Sequence, residues 1–192
     1  MSHLIAASAR TILDNRSSYL SFGAAWFVGH GAFALAHGDD PLVDLPGPVP
    51  MLLLGGGLLA ALAITGAAAG RARRTATADP LVSGLLAASW VIGFGALFVV
   101  ITALSSVIGD PAIQTLLWPT GSGVVVGLLH LAGGVAYRDV LQYSLGAWLA
   151  LMSGAALFFH GANLYWLLAL AGGGSYLLAA ILEPRRLAAA HA

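Results

Sequence analysis

Residues 81–108, LVSGLLAASWVIGFGALFVVITALSSVI, run from end to end without one charged side chain. About 20 mainly apolar residues in a helix cross the roughly 30 Å hydrocarbon core of a bilayer, so this stretch predicts a transmembrane helix. Five others have the same character, at 18–37, 49–69, 113–137, 140–160 and 163–182. The turns between the last three, Tyr137-Arg138-Asp139 and His160-Gly161-Ala162-Asn163, are barely long enough to reverse the chain. A five-span arrangement, with one of these segments re-entrant, is the alternative.

Composition agrees. Of the 192 residues, 59% are hydrophobic and 8% charged, where a soluble domain carries roughly 25% charged residues. Mean hydropathy is +0.88. A water-soluble surface cannot be built from this remainder, so lipid is the expected solvent for most of the exterior. Cysteine is absent, which excludes disulfides, thiol catalysis and iron–sulfur clusters. All eight basic residues are arginine, and with the Ala and Gly excess this points to a GC-rich bacterial genome. The first 17 residues do not have the layout of a signal peptide.

Loop charges orient the spans. Arg10 and Arg16 precede the first, Arg71, Arg73 and Arg74 follow the second, Arg138 follows the fourth, and Arg185 and Arg186 follow the sixth. A six-span topology puts all of them on one side and Asp39, Asp40, Asp44 and Asp110 on the other. The positive-inside rule makes the arginine side cytoplasmic, whereas five spans would leave Arg185 and Arg186 outside. The expected fold is therefore all-α: a bundle of six transmembrane helices in the inner (plasma) membrane, with both termini cytoplasmic. Residues 18–183 form the bundle and 184–192 a cytoplasmic tail. Residues 1–17 form a short amphipathic helix with Leu4, Ile5, Ala9, Ile12 and Leu13 on one stripe.

Lipid supplies no hydrophobic drive between helices, so small residues that let backbones approach do much of that work. Ala25/Gly29, Gly66/Gly70 and Gly123/Gly127, together with Gly55-Gly56-Gly57 and Gly172-Gly173-Gly174, predict a tight bundle that is expected to self-associate. Pro119, in Trp118-Pro119-Thr120-Gly121-Ser122-Gly123, removes a backbone donor and predicts a kink or break in the fourth span. Four prolines stiffen the loop at 38–50, whose aspartates read as solvated connectors or as a Ca²⁺-attracting group.

No Asp, Glu or Arg lies near the centre of a span, which counts against a mid-membrane carboxylate relay. Histidines remain. His30 and His130 admit three readings: a pathway group titrating near neutral pH, a haem or metal ligand, or an interhelical hydrogen bond. The six-span topology puts His30 toward the outside and His130 toward the inside, a poor match for paired haem ligands. His37 and His160 at the outer rim make the better metal pair but lack a third ligand. His3 and His191 lie in the tails. Gly121-Ser122-Gly123 resembles the nucleophile setting of intramembrane serine proteases, yet small residues are everywhere here, and no catalytic or phosphate-binding motif is assigned.

In order and length, these segments resemble the acetate uptake transporter (YaaH-type) family. The resemblance rests on Asn15 before the first span, Leu54-Gly55-Gly56-Gly57 leading to a basic turn and Ala88-Ser89-Trp90, then Val140-Leu141-Gln142 and residues 172–176 through Glu183. The family's Asn-Pro-Ala-Pro motif is replaced by Asn15-Arg16-Ser17-Ser18-Tyr19. The resemblance implies monocarboxylate passage and hexameric rings. The leading expectation is a channel or transporter for a small neutral or weakly acidic solute, acetate among them, without a cofactor. Its expected lining is Asn15, Tyr19, His30, Thr120, Ser122, His130 and Gln142. The alternatives are a non-catalytic subunit of a larger membrane complex and a haem- or metal-bearing redox protein. The arginines read as topology determinants, not as a nucleic-acid surface.

Overall fold

A computed structural model describes residues 13–38, 40–74, 79–110 and 112–190. Of the amphipathic helix expected at 1–17, residues 1–12, with His3 and Arg10, lie outside these residues, as do Asp39 and His191; residues 13–15 are not helical and Arg16 and Ser17 open the first helix.

The described residues are helical apart from their connections. Helix α1 (Arg16–Leu35) is followed by α2 (Pro48–Arg74), α3 (Pro80–Ile108), α4 (Ala112–Tyr137) and α5 (Val140–Ala155). A 3₁₀ turn, Ala156–Phe158, ends the fifth rod. The sixth is composite: α6 (Ala162–Leu167) passes through a π-helical segment, Leu168–Gly173, into α7 (Gly174–Ala190). Five stretches are long and apolar enough to cross a membrane: Pro48–Arg71, Pro80–Ile108, Ala112–Tyr137, Val140–Phe158 and Ala162–Ala189. This is the pattern of a multi-pass helical membrane protein. Helix α1 is less apolar, with its Ser, Gly, His and aromatic residues, and it packs between α2 and the last rod with Leu20, Phe27 and Val28 exposed.

The ends are set by local chemistry. Pro48 opens α2, and Pro80 opens α3 behind Asp79, whose carboxylate accepts from the Leu81 and Val82 N–H groups at 2.8 and 3.4 Å. Gly109, at φ 72°, closes α3 in the left-handed conformation glycine tolerates best. Arg138 turns α4 into α5 at φ 54°, a left-handed position seldom taken by a side-chain-bearing residue, and Asp139 caps α5 through a 3.0 Å bond from the Gln142 N–H.

Of the kink or break expected at Pro119, no break occurs: α4 runs through it, with Thr120 Oγ1 donating a 2.7 Å bond to the Leu116 carbonyl. α7 continues through Pro184 to Ala190, so the start of the tail expected at 184–192 is helical.

Close packing follows part of the small-residue pattern. α4 and α5 form the tightest pair. A Cβ on Gly127 would sit 2.8 Å from Ala150 Cα, and one on Gly146 would sit 2.5 Å from the Leu131 nitrogen. α1 meets α2 at Gly29 against Leu54 and at Ala25 against Gly57, and it meets the π segment where Gly172 and Gly173 face Trp26 and Phe27. Gly66, Gly70, Gly55, Gly56 and Gly174 face open space, so the expected Gly66/Gly70 face packs against nothing within the described chain. α2 lies along α1 and α3 along α4, with little contact between α2 and α3.

Gly127→Leu is expected to destabilise the folded protein by about 1–3 kcal/mol or more, the cost of overpacking a filled interface. Gly66→Leu is expected to leave stability nearly unchanged. Thermal unfolding of the two variants in detergent, followed by monodispersity on gel filtration, makes the comparison; equal midpoints would refute the packing assigned to the α4–α5 pair.

Candidate functional site

The site is built around the buried face of α1. Tyr19, Gly23, Trp26 and His30 recur at helical spacing on that face, and all are buried. Tyr176 of α7 lies opposite, 1% exposed, with its ring 6.3 Å from Tyr19, 6.0 Å from Phe22 and 6.1 Å from Trp26. His130 of α4 completes the group, edge-on to Tyr176 at 5.4 Å and to Trp90 of α3 at 5.9 Å.

Hydrogen bonds determine the histidine tautomers. His130 Nδ1 is 2.9 Å from the Val126 carbonyl, and His30 Nδ1 is 3.1 Å from the Trp26 carbonyl. A carbonyl can only accept, so Nδ1 carries the hydrogen in both rings and Nε2 of the neutral ring is an acceptor. The Tyr176 hydroxyl donates to His130 Nε2 across 3.3 Å. His30 and His130 therefore each carry the interhelical or intrahelical bonding of a packed residue, and the two rings sit on separate parts of the aromatic group.

Beneath this group, at the arginine-bearing end, lies a buried polar cluster. Glu183, fully buried, accepts from the Asn15 N–H at 2.9 Å and from Arg186 Nε and Nη2 at 2.7 and 2.6 Å. Arg186 also reaches Asp139 Oδ2 at 3.3 Å and donates to the Leu13 carbonyl. Asn15 Nδ2 lies 3.4 Å from Asp139 Oδ2 and 3.5 Å from the Tyr19 hydroxyl. One guanidinium thus joins the start of α1, the α4–α5 turn and the end of α7. At the rim, the Arg16 guanidinium hydrogen-bonded to Asp14 holds that carboxyl below the usual carboxylate range. Its stabilising effect is present above the unfolded pKa and lost as pH falls through the lowered one.

Beside the cluster opens a cavity of about 1070 Å³ between α1, α2, α3 and α4. Asp14, Arg16 and Arg71 stand among its polar lining with Asn15 and Ser18; Phe22, Leu62, Trp90, Leu129 and His130 form much of the rest. Four expected pathway residues, Asn15, Tyr19, His130 and Gln142, line it. His30, Thr120 and Ser122 do not: Thr120 is 1% exposed, His30 is buried against Trp26, and Ser122 is half-buried on α4. Ser153 Oγ, buried beside Gly123, has no hydrogen-bond partner among the described residues. His37 and His160 are both exposed, with Gly161 against the His37 ring, and no group of three metal-ligating side chains occurs among the described residues.

Glu183, Asp139, Arg186 and Tyr176 were not among the expected site residues. The signal for the first three was an acid beside an arginine at a span's end, Glu183-Pro184-Arg185-Arg186 and Arg138-Asp139, which reads equally well as topology. No protein-family model, curated protein or solved structure matches the chain, so the site is read from its own residues.

Removing the guanidinium leaves two buried carboxylates unpaired. Arg186→Met is expected to cost about 3–5 kcal/mol, and adding Glu183→Gln to it should cost less than the sum of the two single changes. Denaturant titration of the four proteins in one detergent measures this; strict additivity would mean that the two side chains act independently.

Proposed function

We propose that this chain is a six-span channel or transporter of the bacterial inner membrane for a small neutral or weakly acidic solute, with short monocarboxylates such as acetate in range. The observation that carries the reading is the cavity at the arginine-bearing end, which is lined by Asn15, Tyr19, Gln142 and His130. Formal charge in its lining is confined to Asp14, Arg16 and Arg71, so a neutral species meets no fixed charge at His130.

α1 serves as the sixth span. Its 20 residues rise about 30 Å at 1.5 Å each, enough for the hydrocarbon core. Its modest hydropathy suits a helix whose neighbours are protein, because polar groups in a membrane face the bundle interior. The arginine-bearing end is cytoplasmic by the positive-inside rule. The second reading, a membrane subunit, draws on the sparse contact between α2 and α3, a gap that a partner's helix would fit. Purification as a lone, monodisperse homo-oligomer would count against it.

The topology has a direct check because the chain has no native cysteine. In intact spheroplasts, Asp44→Cys is expected to react with an impermeant maleimide and Ala189→Cys to react only after lysis. The reverse pattern would invert the orientation. Equal reactivity before lysis would remove the even span count.

For transport, proteoliposomes should take up radiolabelled acetate faster than protein-free liposomes between pH 5 and 8, with saturable excess flux clearest at high pH. His130→Ala is expected to lower that excess on the order of tenfold, the value of one lost hydrogen bond of about 1.4 kcal/mol. Unchanged flux and pH dependence in both His130→Ala and His30→Ala would remove the histidines from the pathway. No excess flux would leave the helical bundle standing and bring the subunit reading forward.

A further inference from the structure

The cavity reaches one leaflet deep. On α2 its lining runs from Arg71 to Leu62, on α3 from Ser83 to Trp90, and on α1 from Arg16 to Phe22. At 1.5 Å per residue these walls are about 9–14 Å long, against roughly 15 Å for half of a hydrocarbon core of about 30 Å. Each wall changes in the same direction. Charge or hydroxyl stands at the arginine-bearing end, and leucine or an aromatic ring stands toward mid-membrane. That is the polarity profile of a lipid headgroup followed by its chain.

One side of the cavity is not closed by protein. α2 and α3 make little contact with each other, and each is almost wholly uncovered along its span. Leu62 is 53% exposed and Ala87 is exposed, although both line the cavity. On that side the solvent is hydrocarbon, so an acyl chain enters the gap without crossing a polar barrier. Arginine meets the other end of such a molecule. Arg16, with its side chain 55% exposed, gives its Nε and Nη2 hydrogens to Asp14. A guanidinium has five N–H donors, and those on Nη1 suit a phosphate oxygen. Arg71 lines the same end, and Arg73 and Arg74 follow it as α2 finishes. Asp79 spends its carboxylate on the first N–H groups of α3. Four arginines thus stand against Asp14 and Asp79 around this mouth, a balance that attracts the anionic lipids of a cytoplasmic leaflet. A partner's apolar span in the gap would leave these arginines unmatched.

We infer that the groove between α2 and α3 binds one anionic phospholipid of the cytoplasmic leaflet, its phosphate at Arg16 and Arg71 and an acyl chain between Leu62 and Trp90. The site rests on the membrane topology and is independent of transport. The lipid supplies the wall that α2 and α3 leave open.

The test is native mass spectrometry of the full chain, purified in a mild detergent and titrated with palmitoyl-oleoyl phosphatidylglycerol or phosphatidylcholine. One phosphatidylglycerol per chain is expected to bind at least tenfold more tightly than phosphatidylcholine. Arg16→Gln combined with Arg71→Gln should weaken phosphatidylglycerol roughly thirtyfold and leave phosphatidylcholine nearly unchanged. Ala87→Trp, which adds bulk on the cavity side of α3, should abolish binding of the single phosphatidylglycerol. Leu85→Trp, an addition at a 61% exposed position outside the lining, should not. The inference is overturned by equal affinity for the two lipids, by unchanged phosphatidylglycerol affinity in the arginine variant, or by equal binding in the two tryptophan variants. Displacement of the lipid by millimolar glycerol phosphate would assign the arginines to a soluble anion instead. A second polypeptide retained in place of lipid would put a partner's helix in the gap. Acetate flux by a protein that binds no phosphatidylglycerol would keep transport and overturn this site; phosphatidylglycerol bound without flux would do the opposite.

Discussion

One guanidinium sets the geometry of the lower bundle. Arg186 touches Glu183, Asp139 and the Leu13 carbonyl at once, and Glu183 also accepts the Asn15 N–H. Buried charges are tolerable when every one is paired and hydrogen-bonded. Meeting that condition brings the start of α1, the α4–α5 turn and the end of α7 to one point. With those ends fixed, α1 packs between α2 and the last rod, α3 lies along α4, and the space left between α2 and α3 opens into the cavity.

That arrangement explains which parts of the molecule could be read in the chain and which could not. Spans such as 81–108 announce themselves because they face lipid and are apolar all round. α1, also expected as a span, is less apolar because the face it turns to its neighbours carries Tyr19, Trp26 and His30, while Leu20, Phe27 and Val28 are exposed. Its length and the alternation of arginines still supported a sixth helix, and the structure packs it where the polar residues are needed. Of the small-residue faces, Gly123/Gly127 and Ala25/Gly29 meet partners, while Gly66/Gly70 does not. A glycine pair shows that close approach is allowed; it carries no information about whether another helix arrives.

The site was legible to the same degree. Asn15, Tyr19, His130 and Gln142 converge on the cavity, whereas His30, Thr120 and Ser122 do not line it. Sequence placed each polar residue along its span but could not give its azimuth. Depth alone made His30 and His130 look like members of one path. The carboxylates were missed for a related reason: an acid next to an arginine at a helix end looks solvated, and its burial depends on α1 arriving beside it from 124 or 168 residues away.

Azimuth on the last rod depends on the π segment. Tyr176, Ala179 and Glu183 recur at helical spacing, are all buried and lie along one face of α7. Each residue advances an α-helix by about 100°, a full turn divided by 3.6. The wider turn at Leu168–Gly173 therefore resets the direction of every side chain that follows it. With the setting observed, Tyr176 faces Tyr19, Phe22 and Trp26 while, two turns later, Glu183 faces Asn15. An uninterrupted α-helix through Leu168–Gly173 would turn both residues away from α1 together, and with them the Arg186 contacts and the donor to His130. Gly172 and Gly173 make the turn compatible with close packing, since they are the residues that lie against Trp26 and Phe27. The ionic cluster at one end and the aromatic floor of the cavity are thus held in register by the same six residues.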